Sequence, residues 1–300
     1  MNSDLIALTF SPQALLYQGL DIVIALLLLV LMRWVFGVWT RVDGNDQLSG
    51  KDNFAFGISI ASSLLALSII LWSAAEKASS EDYLAQSIQM LVYGVVGILL
   101  IKIGRFVHDR LVLDRLDKRE QILGRNVSIA LVDGASSIAI AIMIRSVLLW
   151  TEGFDIHSGI AVLSGFIVTL AVMLVTTRLM ERRFAEDNQN DSMQDVLVRG
   201  QVALAIQHGG LLLGTAFAVS AASQLLEYHP AAYVSNLLNW LFLAMLFTLL
   251  TFALAWAAKR LVLPGINLVR EVDHQHNVGL ASVEMALTIG MALLLLGLVS

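Results

Sequence analysis

Two acidic residues stand inside long apolar segments of this chain, where a carboxyl group could do chemistry. Asp133 follows Asn126 by seven residues, and Glu284 follows Asn277 by the same interval. At the rise of an α-helix, each carboxyl group would lie roughly 10 Å further along the helix than its asparagine. If these segments cross a membrane, an ionisable group there costs about 2.5–3.5 kcal/mol on insertion scales and is a functional candidate.

Other polar residues are predicted at the same depth. His208 follows Gln201 by seven residues, Gln207 stands beside it, and Ser59 occupies the position of Gln207 in the first half of the chain. Two hypotheses explain this polar layer. In the structural one, the carboxyl groups are hydrogen-bonded to neighbouring helices and hold the bundle together. In the functional one, they bind a cation or relay protons, with His208 titrating between them.

The elements that must position these residues are eight long apolar runs. Apolar residues make up 57% of the chain and charged residues 14%, against about 45–50% and about 25% in ordinary globular proteins. Because a membrane helix needs roughly 20 apolar residues, the sequence predicts an all-α polytopic membrane protein with eight transmembrane helices. The predicted spans are Ala14–Trp39, Phe54–Ala75, Ala85–Val107, Val127–Trp150, Gly159–Leu179, Val202–Leu226, Ala231–Ala258 and Val278–Val299.

Basic residues predict the orientation of these spans. The connections between spans 1 and 2, 3 and 4, 5 and 6, and 7 and 8, with the adjoining span ends, hold 17 of the 19 Lys and Arg residues. The opposite face holds only Lys77 and Arg145. Since basic loops stay in the cytoplasm, we expect these four connections in the cytoplasm and both termini in the periplasm.

The chain also contains an internal repeat. Arg119-Glu120 followed by Asn126 recurs 151 residues later as Arg270-Glu271 followed by Asn277, and the match continues along the next helix. Spans 2 and 6 correspond at a shift of 148 residues. Each copy holds four helices, which predicts two membrane repeats, residues 1–152 and 153–300. An even number inserts both copies in the same direction, so their pseudo-twofold axis would run along the membrane normal. Asp133 and Glu284 would face each other if spans 4 and 8 flank that axis.

The repeated segments resemble a known family. The stretch R-E, a short gap and then N-V-S-I-A-L-V-D-G-A-S-S-I-A-I is similar to the signature of the DUF350 membrane proteins, and its second copy reads R-E-V-D-H-Q-H-N-V-G-L-A-S-V-E-M-A-L. The second half of the chain departs from the pattern, with Gln201 in place of an asparagine and Met285 in place of a glycine. The resemblance implies a bacterial inner-membrane protein of four helices, here duplicated. Some members are similar to proteins encoded beside phage-shock-type coat proteins, which bind and remodel the inner membrane.

The sequence contains no phosphate-binding loop, dinucleotide fingerprint, zinc-protease motif or nucleophile elbow. We therefore expect no enzymatic activity, no cofactor, no metal and no nucleic-acid partner. The leading hypothesis, which follows from the resemblance, is a membrane platform in an envelope-maintenance system. Besides the bilayer, its partners would be a peripheral membrane-remodelling protein on the cytoplasmic face and a second copy of the chain. The cytoplasmic segment 102–125 would be either a solvated loop or the docking surface. The alternative is a proton- or cation-coupled transporter or channel that uses the polar layer.

Overall fold

The computed structural model describes residues 12–76, 83–111, 114–150 and 156–300. Eight helices in this part of the chain are long and apolar enough to cross a membrane, which confirms the predicted spans. Their outer faces carry exposed apolar side chains such as Leu26, Phe242 and Leu294, as a lipid environment requires. Spans 1 to 8 are Pro12–Thr40, Phe54–Glu76, Tyr83–Leu111, Val127–Trp150, Ile156–Asp187, Val202–Gln224, Tyr233–Val262 and Val278–Val299.

Span 5 continues well beyond its predicted end at Leu179. Its last turns are charged, and the ion pairs Arg178–Glu181 and Arg182–Glu186 join residues three and four positions apart. Such pairs lie on one helix face and support a helix in water. The apolar run predicts only the first part of this helix, because the residues of its last turns are charged.

The eight spans form two parallel rows. Spans 2, 4, 6 and 8 pack side by side in that order, and spans 1, 3, 5 and 7 form the second row against them. Spans 4 and 6 lie in the middle, with 78% and 67% of their most apolar windows buried, against 17% for span 1 and 22% for span 8. Within each row, the spans therefore follow one another in the order of the chain.

A short helix, here called a connector, precedes each span of the first row. Connectors 1 to 4 are Asp46–Gly50, Lys118–Leu123, Met193–Val198 and Arg270–His274, of which the first and last are π-helical. Each connector ends in the same way, since the residue just before the asparagine or glutamine that starts the next span has a positive φ. These residues are Asp52 (48°), Arg125 (67°), Gly200 (89°) and His276 (58°).

The side chains of three asparagines explain why the spans begin where they do. The Oδ1 atoms of Asn53, Asn126 and Asn277 accept hydrogen bonds from the backbone N–H three residues later, at 3.1, 3.2 and 3.0 Å. This is the usual N-cap, which satisfies a donor that the helix leaves free. Gln201 holds the same position without a side-chain cap. The predicted duplication of four helices is thus itself built from two-helix units, each a span, a connector and a second span.

Candidate functional site: the intramembrane ion pairs

The Asp133 carboxylate is fully buried and binds two cations. Arg105 of span 3 donates two hydrogen bonds through Nη2, at 2.9 Å to Oδ1 and 2.7 Å to Oδ2. Lys118 of connector 2 binds Oδ1 through Nζ at 2.6 Å. Because both cations belong to the first repeat, the charge of Asp133 is neutralised within that repeat.

This cluster extends in two directions. Lys118 Nζ also binds Oδ2 of Asp109 at 2.6 Å, and Arg105 Nη1 donates to Ser63 Oγ at 2.6 Å. Ser59, the residue predicted for the polar layer, is fully buried on span 2 and interacts electrostatically with Asp133. Its hydroxyl has no hydrogen-bond partner among the described residues. Ser63, one turn further along, is the serine of span 2 that binds Arg105.

Glu284 is paired in a similar way within the second repeat. Its Oε1 binds Lys259 Nζ of span 7 at 2.9 Å, and its Oε2 accepts a hydrogen bond from Gln207 Nε2 of span 6 at 2.8 Å. Val269 stands at the position of Lys118, 151 residues later, so this carboxylate has one cation in place of two. The repeats share the carboxylate and differ in how they neutralise it.

Asp133 and Glu284 do not face each other. Span 6 packs between spans 4 and 8, and the two carboxylates bind different cations. The conditional expectation of a shared carboxylate pair is therefore wrong. The reason is the order of packing, which places the four spans of the first row side by side rather than around an axis between spans 4 and 8.

His208 does not bridge the two carboxylates either. Its ring is fully buried, and Nδ1 lies 3.2 Å from Met180 Sδ of span 5. Its electrostatic neighbour is His108 of span 3, which is also buried. Within the described part of the chain, His208 Nε2 and both ring nitrogens of His108 have no hydrogen-bond partner. His208 thus contacts span 5 and interacts electrostatically with span 3, and it binds neither carboxylate.

The amides that start the spans bind the next connector along the row. Asn53 Nδ2 donates to Ile122 O at 3.1 Å and Leu123 O at 3.3 Å, and Asn126 Nδ2 donates to Leu197 O at 3.3 Å and Val198 O at 2.9 Å. Gln201 Nε2 likewise reaches Val272 O and Asp273 O, at 3.1 and 2.9 Å. We call each of these contacts an amide clamp, because it ties one unit to the carbonyls at the end of the next connector.

The four residues of the repeat motif belong to connectors 2 and 4. Arg119 is exposed and donates from Nε to Thr40 O at 2.8 Å. Glu120 is also exposed, and its backbone N–H donates to the side chain of Asp117, the N-cap of connector 2. Arg270 is exposed, and Glu271 Oε2 accepts from Asn277 Nδ2 at 3.3 Å. The motif therefore lies in the connectors and not in the spans.

Comparison with known proteins agrees with this duplicated architecture. A family model described as Domain of Unknown Function (DUF350) matches residues 8–148 and again residues 152–299. The chain belongs to the DUF350 family. It is also similar to a UPF0719 transmembrane protein of Aquifex aeolicus (strain VF5), with 23% identity over 189 residues that cover 61% of this chain and 68% of the relative. No solved structure matches the chain.

Each of the two DUF350 regions therefore supplies one intramembrane carboxylate and the cations that neutralise it, two in the first region and one in the second. The sequence did not identify these cations: Arg105, Lys118 and Lys259 were counted only as charges of the cytoplasmic face. Asn53 was also not grouped with Asn126, Gln201 and Asn277 from the sequence. Its signal was available, since Asn53, Asn126, Gln201 and Asn277 recur at intervals of 73, 75 and 76 residues.

A cavity of about 510 Å³ lies between connectors 3 and 4. Its lining includes Arg199, Gln201, Asp273 and His276. Burial raises the pKa of the Asp273 carboxyl, although the hydrogen bond from Asn188 acts in the opposite direction. This DUF350 protein thus has polar groups at the face that carries the connectors as well as the paired charges of the spans.

Proposed function

We propose that this DUF350 protein is a non-enzymatic scaffold of the bacterial inner membrane. Its cytoplasmic face would hold a peripheral membrane-remodelling protein in an envelope-maintenance system. The observation that carries the proposal is the direct pairing of Asp133 and Glu284 with cations of their own repeats. Buried pairs of this kind fix the arrangement of helices, whereas a coupling site for a cation requires a carboxylate that the cation can reach.

The connectors suit the role of a docking surface. The amide clamps tie them to one another, so the exposed side chains of the cytoplasmic face have fixed relative positions. Arg115 and Arg119 are exposed beside connector 2. Lys118, between them in the sequence, is not part of that surface, since its ammonium group binds Asp109 and Asp133. Among the described residues of segment 102–125, only some of the charges are therefore free for a partner.

The test replaces Arg115 and Arg119 by Glu while Lys118 is kept. A photoreactive residue at Asp117 should cross-link a bilayer-binding coat protein in cells, and the double substitution should abolish that product. The matched control is Arg182→Glu with Arg183→Glu, an equal change of charge at side chains that are 79% and 76% exposed on span 5. Loss of the product in both variants, the same products in all variants, or none in the parent would contradict the proposal.

A second candidate, proton- or cation-coupled transport, has one specific observation in its favour. Asp133, Lys118 and Asp109 form a continuous charged chain, and Asp109 Oδ1 lies 3.9 Å from His108 Nδ1. His108 is the neighbour of His208. The measurement is proton flux into vesicles that contain the purified protein under an imposed pH gradient. The scaffold proposal expects the flux of protein-free vesicles; a flux that His208→Gln abolishes would replace it with transport.

A further inference from the structure

The row of spans 2, 4, 6 and 8 repeats the same interface three times and, among the described residues, leaves both of its ends open. Each interface contains an amide clamp at the connector end of the spans. It also contains a close contact that involves a glycine within the membrane. The positions of this contact can be counted from the asparagine or glutamine that starts each span. Position 9 of one span always meets position 8 of the next, as Ser62 of span 2 meets Gly134 of span 4.

These close contacts are direct in all three interfaces. A Cβ atom placed on Gly134 would lie 3.2 Å from Ser62 Cβ, and one on Gly209 would lie 3.2 Å from Ala135 Cβ. A Cβ on Gly210 would lie only 2.7 Å from Met285 Cα. Small residues at such positions let membrane helices approach closely. Clamp and contact therefore recur with one geometry along the row.

The end of the row at span 8 presents both halves of this interface without an occupant. Asn277 is exposed, and the one hydrogen bond recorded for its Nδ2 among the described residues goes to Glu271 of its own connector. Ala286, nine residues later, is exposed in the middle of the free face. Gly290, one turn further, has nothing within 4 Å of the place where its Cβ would be.

The opposite end, at span 2, presents the complementary halves. Connector 1 is π-helical like connector 4, and its carbonyls of Leu48 and Ser49 stand at the offsets that Gln201 contacts in connector 4. Among the described residues no side-chain amide reaches them. Ala61, eight residues after Asn53, is exposed. Span 2 thus lacks the neighbour that spans 4, 6 and 8 each have.

We infer that the free face of span 8 binds span 2 of a second copy of this chain, and so extends the row. Asn277 of one copy would donate to the carbonyls of Leu48 and Ser49 of the next, and Ala286 would contact Ala61. All copies insert into the membrane in the same direction. Such a head-to-tail interface therefore generates a ring if its rotation closes and an open row if it does not.

The position of the free faces favours a second copy over an unrelated membrane protein. The exposed amide and the exposed alanine of span 8 are separated by the same nine residues as their counterparts in the three internal interfaces. At the other end, Leu48 and Ala61 have the same sequence separation as Val272 and Met285, their counterparts in connector 4 and span 8. The two ends therefore match each other through an interface that the chain already uses.

Cysteine cross-linking tests this inference directly, because the chain contains no cysteine. Two differently tagged chains, one with Ala61→Cys and one with Ala286→Cys, are produced together in membranes and oxidised. We expect a cross-linked heterodimer at several-fold higher yield than in a pairing of Ala61→Cys with Ala253→Cys, an exposed alanine on span 7. Gly290→Leu added to the Ala286→Cys chain should reduce the yield several-fold, because it fills the space that the second copy would occupy.

Two outcomes would overturn the inference. One is a yield for Ala61 with Ala286 no higher than for the control pair. The other is a strong cross-link between two Ala286→Cys chains when no Ala61→Cys chain is present. The second outcome would mean that span 8 meets span 8 in a symmetric dimer, which the row does not allow.

Discussion

At the scale of single residues, long basic side chains neutralise the membrane-embedded acids. Arg105 and Lys118 bind Asp133, which has no exposed surface, while Lys259 and Gln207 bind Glu284. The sequence predicted that both acids lie in the membrane, because each is enclosed by apolar residues. It could not identify their partners, since an arginine or lysine placed near the interface can extend its stem several ångströms into the membrane.

Replacement of Asp133 by Asn should strongly destabilise the bundle. It leaves Arg105 without a counter-charge and Lys118 with Asp109 alone, and breaking a buried pair costs about 3–5 kcal/mol. Glu284→Gln should cost less, since Lys259 is 22% exposed and its ammonium group can turn toward water. Thermal unfolding in detergent measures both, with Asp46→Asn in the exposed Lys51 pair as the control. Equal stability of all three variants and the parent would mean that the ion pairs do not hold the helices together.

Asp273 provides a pH-dependent prediction outside the membrane. Burial raises the pKa of its carboxyl, and the negative charges of Asp187 and Glu284 act in the same direction. The folded protein therefore disfavours the ionised form, so Asp273→Asn should raise the unfolding temperature at pH 7. The gain should vanish as the pH falls below the ordinary pKa of an aspartic acid, where both states are protonated.

The control for this experiment is Asp191, whose pKa is lowered chiefly by the hydrogen bond from Arg199. Asp191→Asn should change stability at pH 7 in the opposite direction, by a small amount because the pair is exposed. A loss of stability in Asp273→Asn at pH 7 would contradict the assignment of burial as the main cause of its raised pKa.

At the scale of elements, the connectors and their clamps explain how eight apolar helices obtain a defined order. The spans themselves could be predicted from the sequence, because their apolar runs are long and separated by charge. The two-helix unit was missed, because the residues around Asn53 and Gln201 differ from the Arg-Glu motif around Asn126 and Asn277. What recurs is the backbone: a short helix, a residue with positive φ and a side-chain amide.

The clamps can be tested with a control built into the chain. Asn126→Ala removes an N-cap, a bond to Gln121 and a clamp, whereas Asn277→Ala removes an N-cap and a bond to Glu271 but no clamp within the chain. Leu197 O keeps the backbone N–H of Gly200 as a donor, and Val198 O is accessible to water, so the loss is that of the amide hydrogen bonds themselves. Because such a bond contributes about 0.5–1.5 kcal/mol net, we expect Asn126→Ala to lower the free energy of unfolding by about that much more than Asn277→Ala. Equal losses would mean that the clamp adds nothing to the cap.

At the scale of the whole molecule, the chain is a row of four units that all insert into the membrane in the same direction. The basic face predicted from the sequence is the face that carries the four connectors. The side-by-side order of the spans could not be predicted, since apolar periodicity does not specify which faces meet. That order decides that Asp133 and Glu284 lie in separate ion pairs, and it leaves spans 2 and 8 with open faces.

The account depends most on all four connectors lying together on the cytoplasmic side. Single cysteines placed in the otherwise cysteine-free chain at residues 45, 115, 190, 267 and 300 can be tested with a membrane-impermeant thiol reagent. The first four should react only in inside-out vesicles, and the cysteine at 300 only in right-side-out vesicles. Reaction of any of the first four from the periplasmic side, or of residue 300 from the cytoplasmic side, would contradict the eight-span row and the scaffold proposed from it.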